Sequence, residues 1–234
     1  MKWNNLAFRG ILTPAVLYSI LLNQFYLVLC LAFGNLRFEA IDDYFMAARL
    51  SGALGENFNP HLVFVNAVYG YLLLPFYHII PKINWYYIGE MFAVFVSLSS
   101  FSYVILSRLK SFWGILGASV LVYLLARDLY LGIQFTQCAA VLSAAGMSIF
   151  VNAVINRKLP EKIPKSFVVG EILIVWGSLM RWPAFLMGLP LFASMVFICI
   201  WRYNFSRKMS VIGFLVVVTL SFGLHSFDRS IYGT

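Results

Sequence analysis

Long apolar runs separated by short polar clusters dominate this chain, and they predict helices that cross a membrane. A span needs about 20 mostly apolar residues, and shorter ones are tolerated inside a bundle. Seven stretches fit, near residues 11–33, 84–106, 112–126, 138–156, 166–180, 184–200 and 210–224. The runs are unbroken and lack the alternation of roughly ten-residue barrel strands. The expected fold class is therefore all-α, a multi-pass transmembrane helical bundle forming a single membrane domain over residues 1–234. The first run is too long for a signal-peptide core and has no small-x-small cleavage site, so it is expected to stay as an anchor.

Residues 61–80, HLVFVNAVYGYLLLPFYHII, are apolar enough to pass for an eighth crossing. Charge argues otherwise. Cytoplasmic loops retain Lys and Arg. With the N-terminus inside, the inner segments hold Lys2, Arg9, Arg108, Lys110, Arg157, Lys158, Lys162, Lys165, Arg202, Arg207 and Lys208, eleven of the seventeen basic residues. A crossing at 61–80 would invert every later loop and put the 157–165 cluster outside. The segment is therefore expected to lie at the outer interface as one or two helices, broken around Pro60, Gly70, Pro75 and Pro81. The outer loop 34–83 is then far longer than a connection requires, and long ordered loops usually carry function.

Composition agrees with this class: 62% of residues are hydrophobic and 11% charged, with a mean hydropathy of +0.84. The net charge of +8 belongs to the inner flanks of the spans, so topology explains it and no nucleic-acid partner is expected. Cys30, Cys138 and Cys199 sit in or beside apolar runs at no metal-like spacing and read as small core residues. Small residues such as Gly114, Gly117, Ser143 and Gly146 are expected to let helices approach closely.

The candidate chemistry gathers on the outer side. Six acids, Glu39, Asp42, Asp43, Glu56, Asp128 and Asp228, face six bases, Arg37, Arg49, Lys82, Arg127, Arg181 and Arg229. Asp42 and Asp43 open DDYFMAARLSG, which reads as a short amphipathic helix with Asp43 at or near its N-cap and Tyr44, Ala47 and Leu50 along one side. A cap accounts for one carboxylate and leaves the second. Adjacent carboxylates at an interface suit a divalent cation (Mg or Mn), or a general base beside a metal- or arginine-binding acid. Arg127-Asp128 is either a surface ion pair or the edge of a site that includes Gln134, Thr136 and Gln137. Arg181 either snorkels beside Trp182 or offers a guanidinium to a phosphate. His61 and Arg49 are second-rank candidates. Trp85, Tyr86 and Tyr87 either form an aromatic belt or stack on a headgroup. Glu90, one turn deeper, is an ionisable group inside a span and hence a functional candidate, or pairs with an outer Arg.

IDDYFMAARLSG, NPHLVFVNAVYGYLLLPFYHIIPKINWYYIGE, ARDLYLGIQFTQCAAVLSAAG and SLMRWPAFL together resemble bacterial membrane glycosyltransferases of the GT-C type, over the whole chain. The resemblance implies a polyprenyl-phosphate sugar donor, an acidic motif in the first outer loop matching Asp42-Asp43, and a glycan or lipid acceptor in cell-envelope polysaccharide biosynthesis. It implies that one of the two aspartates takes the acceptor's proton while the other positions acceptor or metal. Arg127 or Arg181 would stabilise the departing phosphate, with Arg49, His61 and Gln134 as further substrate contacts. The implied location is the bacterial inner membrane with a cytoplasmic N-terminus. That class usually has more than seven spans, so the chain reads as an N-terminal fragment of a longer transferase. The competing expectation is a non-enzymatic membrane protein, such as a lipid-linked-sugar flippase or a transporter subunit, for which a continuous polar path reaching Glu171 would be the sign.

Overall fold

The computed structural model describes residues 13–55, 57–109, 112–156, 163–202 and 207–232. Residues 11 and 12 of the first expected span, Glu56 and the charged connector 157–162 lie outside the described residues. In chain order the elements are α1 (Pro14–Phe33), β1 (Arg37–Phe38), α2 (Ile41–Leu50), α3 (Ala67–Ile79), α4 (Trp85–Arg108), α5 (Phe112–Leu131), β2 (Gly132–Ile133), α6 (Phe135–Ile155), α7 (Lys165–Met180), α8 (Trp182–Arg202) and α9 (Arg207–Tyr232). The fold is an all-α bundle, and its one described sheet is a two-residue parallel bridge joining Arg37 to Gly132 and Phe38 to Ile133.

Every expected span is a helix. Six of them, α1, α4, α5, α6, α8 and α9, are long and apolar enough to cross a bilayer, which makes this a membrane protein. The seventh, α7, has 16 residues, about 24 Å at 1.5 Å per residue, shorter than the roughly 30 Å hydrocarbon core. It nonetheless passes through the bundle in step with its neighbours. Ala139, Ser143 and Gly146 of α6 meet Gly177, Ile174 and Gly170 of α7 in reversed order, so the two run antiparallel.

The remaining directions follow from similar contacts. α1 runs with α5, through Tyr18–Ser119, Tyr26–Tyr123 and Gly34–Leu131. α4 runs against α5, through Ile105–Gly117 and Leu109–Gly114. α8 runs with α6, through Met147–Gly188 and Phe150–Phe192. α9 runs with α7, through Phe167 and Glu171 against Gly213. Direction therefore alternates along α1, α4, α5, α6, α7, α8 and α9. One end of the bundle collects the last turns of α1, α5, α7 and α9, the first turns of α4, α6 and α8, and the elements β1, β2, α2 and α3.

The 61–80 segment lies across this loop-rich end and does not traverse the bundle. At its start, the Asn66 N–H donates to Leu179 O and Asn66 Nδ2 to Leu224 O, both at 3.0 Å. At its finish, the Tyr77 hydroxyl accepts from the Tyr86 N–H at 3.0 Å and donates to Asn84 Oδ1 at 3.2 Å. Both ends thus touch the same end of the long helices. The expected breaks are corrected: α3 is one helix that continues through Gly70 and Pro75. Gly70 is there because its Cα packs on the Pro60 carbonyl, leaving no room for a Cβ.

Lipid tails are as apolar as leucine, so close backbone approach and buried hydrogen bonds hold such a bundle together. The α6–α7 seam supplies the first, since a Cβ on Gly170 would lie 2.8 Å from Phe150 N and 2.9 Å from Gly146 O. Asn23 supplies the second. It is fully buried on α1, donates to Phe95 O (2.6 Å) and Ser99 Oγ (3.0 Å) on α4, and accepts from the Tyr130 hydroxyl on α5 (2.9 Å). At the opposite end of the bundle, Arg108 donates to Asn152 Oδ1 at 2.7 Å and ties α4 to α6.

Candidate functional site

Residues 42–50 of α2, with its C-cap Ser51, form three overlapping stripes, each spaced i, i+3, i+4, i+7 as one side of a helix requires. Asp43, Met46, Ala47 and Leu50 are buried against the bundle. Asp42, Phe45, Met46 and Arg49 line a cavity of about 260 Å³ completed by Leu54, Val63 and Phe64. Tyr44, Ala47, Ala48 and Ser51 line a second cavity of about 540 Å³, shared with Phe38, Tyr77, Lys82, Asn84 and Tyr87. The helix is a partition between the two.

This register corrects two expectations. Ala40, with no side-chain hydrogen bond, occupies the N-cap, so Asp43 sits within the first turn and does not cap α2. Tyr44 is 64% exposed, whereas Asp43 takes the place on the buried stripe that an apolar residue would be expected to fill.

Asp43 is 0% exposed. Its Oδ1 accepts from the Tyr86 hydroxyl at 3.1 Å and from the Phe135 N–H at the start of α6 at 3.2 Å. Burial is the main reason its carboxyl is pushed up to about 6, and the nearby Asp42 charge adds to the rise; hydrogen bonds from Glu90, Phe135 and Tyr86 oppose it. The carboxyl of Glu90, likewise 0% exposed, lies against that of Asp43. Among the described residues no Arg pairs with Glu90, contrary to one expectation for it. Tyr86, expected to face a headgroup or the lipid interface, is fully buried and holds Asp43 from below. The close carboxylate pair of this protein is therefore Asp43–Glu90, 47 residues apart, and not Asp42–Asp43.

The arginines part company. Arg49 lines the smaller cavity with Asp42. The Arg181 guanidinium borders it, 5.3 Å from the centre of the Phe64 ring and 5.0 Å from that of Phe135, and donates to Phe64 O at 3.4 Å. Neither is in an ion pair; among the described residues the one salt bridge is Arg37–Glu39 at 3.6 Å. Arg127 lies elsewhere. Because α5 runs on to Leu131 where the sequence suggested an end at 126, Arg127 and Asp128 lie within the helix, close to its end. They line a separate polar cavity of about 440 Å³ with Arg37, Glu39 and Gln137. They do not form the ion pair considered for them. Gln134 precedes α6 and gives its carbonyl to the Cys138 N–H. His61 stands edge-on between Tyr71 and Tyr232, each ring centre 5.7 Å away, where the end of α9 closes over the 61–67 segment.

The donor set does not fit a metal ion held jointly by Asp42 and Asp43. Adjacent helical positions diverge by about 100°. Here one carboxylate faces a cavity and the other the core, and among the described residues no cluster of three or more His, Cys, Asp or Glu could hold a metal.

A third cavity of about 700 Å³ runs among α3, α4, α7 and α9. Its lining is aliphatic and aromatic, with Glu171 its one charged side chain. Signals in the sequence could have found Glu90, which stood out as a lone acid in a span, but nothing local tied it to Asp43. Searches of protein-family models, of curated proteins and of solved structures found no match to this chain.

Proposed function

We propose that the chain belongs to a membrane glycosyltransferase of the GT-C type, working at the extracytoplasmic face of a bacterial inner membrane with its N-terminus in the cytoplasm. The sugar comes from a polyprenyl-phosphate donor and goes to a cell-surface glycan or lipid. The observation that carries this reading is the cavity beside α2 at the loop-rich end of the bundle, lined by Asp42 and Arg49, with the Arg181 guanidinium over its Phe64 wall and neither guanidinium in a salt bridge among the described residues. Two cations without carboxylate partners among the described residues suit a phosphate.

In this scheme Asp42 is the general base that takes the acceptor hydroxyl's proton, because it is the aspartate that lines the cavity. The acceptor oxygen attacks the anomeric carbon, and the bond from that carbon to the donor phosphate breaks. Arg49 and Arg181 then receive the charge that develops on the departing phosphate. Asp43 is the positioning partner: buried beneath α2, it fixes the register that turns Asp42 outward. No step is routed through a metal. The apolar groove among α3, α4, α7 and α9 suits the isoprenoid tail, and its lining offers no polar route to Glu171 that would favour a transporter.

The test is transfer by membranes containing this chain, or a longer protein that includes it, from radiolabelled polyprenyl-phosphate sugars. Asp42→Asn should lower transfer by roughly two orders of magnitude, the usual worth of a general base. Full transfer by this variant would remove Asp42 from the chemistry and the reading with it.

A further inference from the structure

We propose that Asp43 and Glu90 form a buried site for one proton, shared between their carboxyl groups, and that this proton fastens α2 to the bundle. Both side chains are fully buried and lie against each other. Asp43 Oδ1 is used by Tyr86 and Phe135, but among the described residues Asp43 Oδ2 and both Glu90 oxygens have no hydrogen-bond partner apart from each other's carboxyl.

Among the described residues the groups facing the pair include no cation. They are Asp42 from α2, Tyr69 from α3, Tyr86 and Tyr87 from α4, and Cys138 from α6. The Arg49 guanidinium lines the neighbouring cavity, and that of Arg181 lies over the Phe64 and Phe135 rings. Two bare carboxylates in contact at low dielectric repel strongly, since little solvent screens them. One proton between them replaces that repulsion with a charge-assisted hydrogen bond, and the two groups then titrate as a unit.

α2 is where this matters, because its remaining attachment to the bundle is a short apolar stripe of Met46, Ala47 and Leu50. The sign follows from the raised value of Asp43. A free aspartate titrates near 3.9, whereas Asp43 does so at about 6. The folded state therefore binds the proton more tightly. Loss of the pair's first proton near 6 leaves the shared one in place, so the docking persists through that pH and is lost only at the higher pH where the last proton leaves two bare carboxylates in contact. Since α2 carries Asp42 and Arg49 on one side and a wall of the larger cavity on the other, loss of the proton frees both cavities together. This inference stands apart from the transfer reaction, and its test reads helix docking alone.

The experiment is hydrogen–deuterium exchange of the full chain in lipid nanodiscs, following amides 41–50 and dividing each rate by its intrinsic value at that pH. Protection of α2 should fall about tenfold or more as pH is raised from about 6 to about 10, while α6 stays unchanged. In Asp43→Asn the amide replaces the shared proton as donor to Glu90, and protection should be flat across that range. Glu90→Gln should flatten it from the other side, so either variant decides if its counterpart fails to fold. Infrared spectra should show the carbonyl band of a protonated carboxyl group that either substitution removes. Protection of the wild-type α2 that ignores pH, or a slope that survives in the variants, overturns the proposal. So does protection that follows added magnesium or a chelator at fixed pH, because a metal ion would then be the occupant.

Discussion

Asn23→Ala removes the polar centre that joins α1, α4 and α5, and its cost can be worked from the bonds it makes. Three hydrogen bonds disappear, to Phe95 O at 2.6 Å, to Ser99 Oγ at 3.0 Å and from the Tyr130 hydroxyl at 2.9 Å. Side-chain bonds between membrane helices average about 0.6 kcal/mol and reach about 1.7. Three of them give about 2 kcal/mol at the average and about 5 at the limit, and the variant also strands a fully buried Tyr130 hydroxyl. The expected loss is therefore about 2–4 kcal/mol of bundle stability. Equilibrium unfolding by sodium dodecyl sulfate in mixed micelles measures it, and the cycle with Tyr130→Phe isolates one bond. Its coupling energy should be about 0.6–1.7 kcal/mol. A loss below about 0.5 kcal/mol, or strict additivity with Tyr130→Phe, refutes the idea that this network holds the three helices.

Two further substitutions probe the frame. Gly170→Ala places a Cβ 2.8 Å from Phe150 N and 2.9 Å from Gly146 O, backbone atoms that cannot swing aside. It should cost about 1–3 kcal/mol in the same micelle assay, whereas Gly223→Ala, with open space at its Cβ, should be close to silent. Asp228→Ala deletes the acceptor of the Ala67 N–H at 2.7 Å and should cost about 1 kcal/mol, as loss of a cap does. Exchange of the first amides of α3 should quicken in that variant while α6 is unaffected. Arg127→Gln lies in a separate cavity and should leave sugar transfer within about twofold of wild type, a result checked by the radiolabel assay.

The helices were legible because length and apolarity alone select a span, and 61–80 was kept out of the bilayer by the basic residues at 157–165. What was not legible was register and distance. Counting Asp43 as a polar residue put it at or near the cap and grouped Tyr44 with Ala47 and Leu50 along one side, although the stripe of Met46, Ala47 and Leu50 includes position 43. Tertiary contact overrode polarity there, because Tyr86 and Phe135 supply the hydrogen bonds that a buried carboxyl demands. Arg127 was grouped with Arg181 because both stood near ends of spans. The extra turns of α5 carry Arg127 to another side of the bundle, and periodicity places helix ends poorly where residues such as Leu129 and Tyr130 remain apolar and buried. The Asp43–Glu90 contact joins positions far apart in the chain, and only packing of α2 on α4 brings them together.

Binding of a polyprenyl phosphate without its sugar tests most directly whether the α2 cavity is a lipid-phosphate site, because it needs no acceptor and no turnover. Titration into nanodiscs can be followed by the fluorescence of Trp182, next to Arg181. Arg181→Gln and Arg49→Gln should each weaken binding about tenfold or more, the worth of one charge-assisted contact, while Arg37→Gln should leave it unchanged. Equal affinity in wild type and both cavity variants would contradict the account.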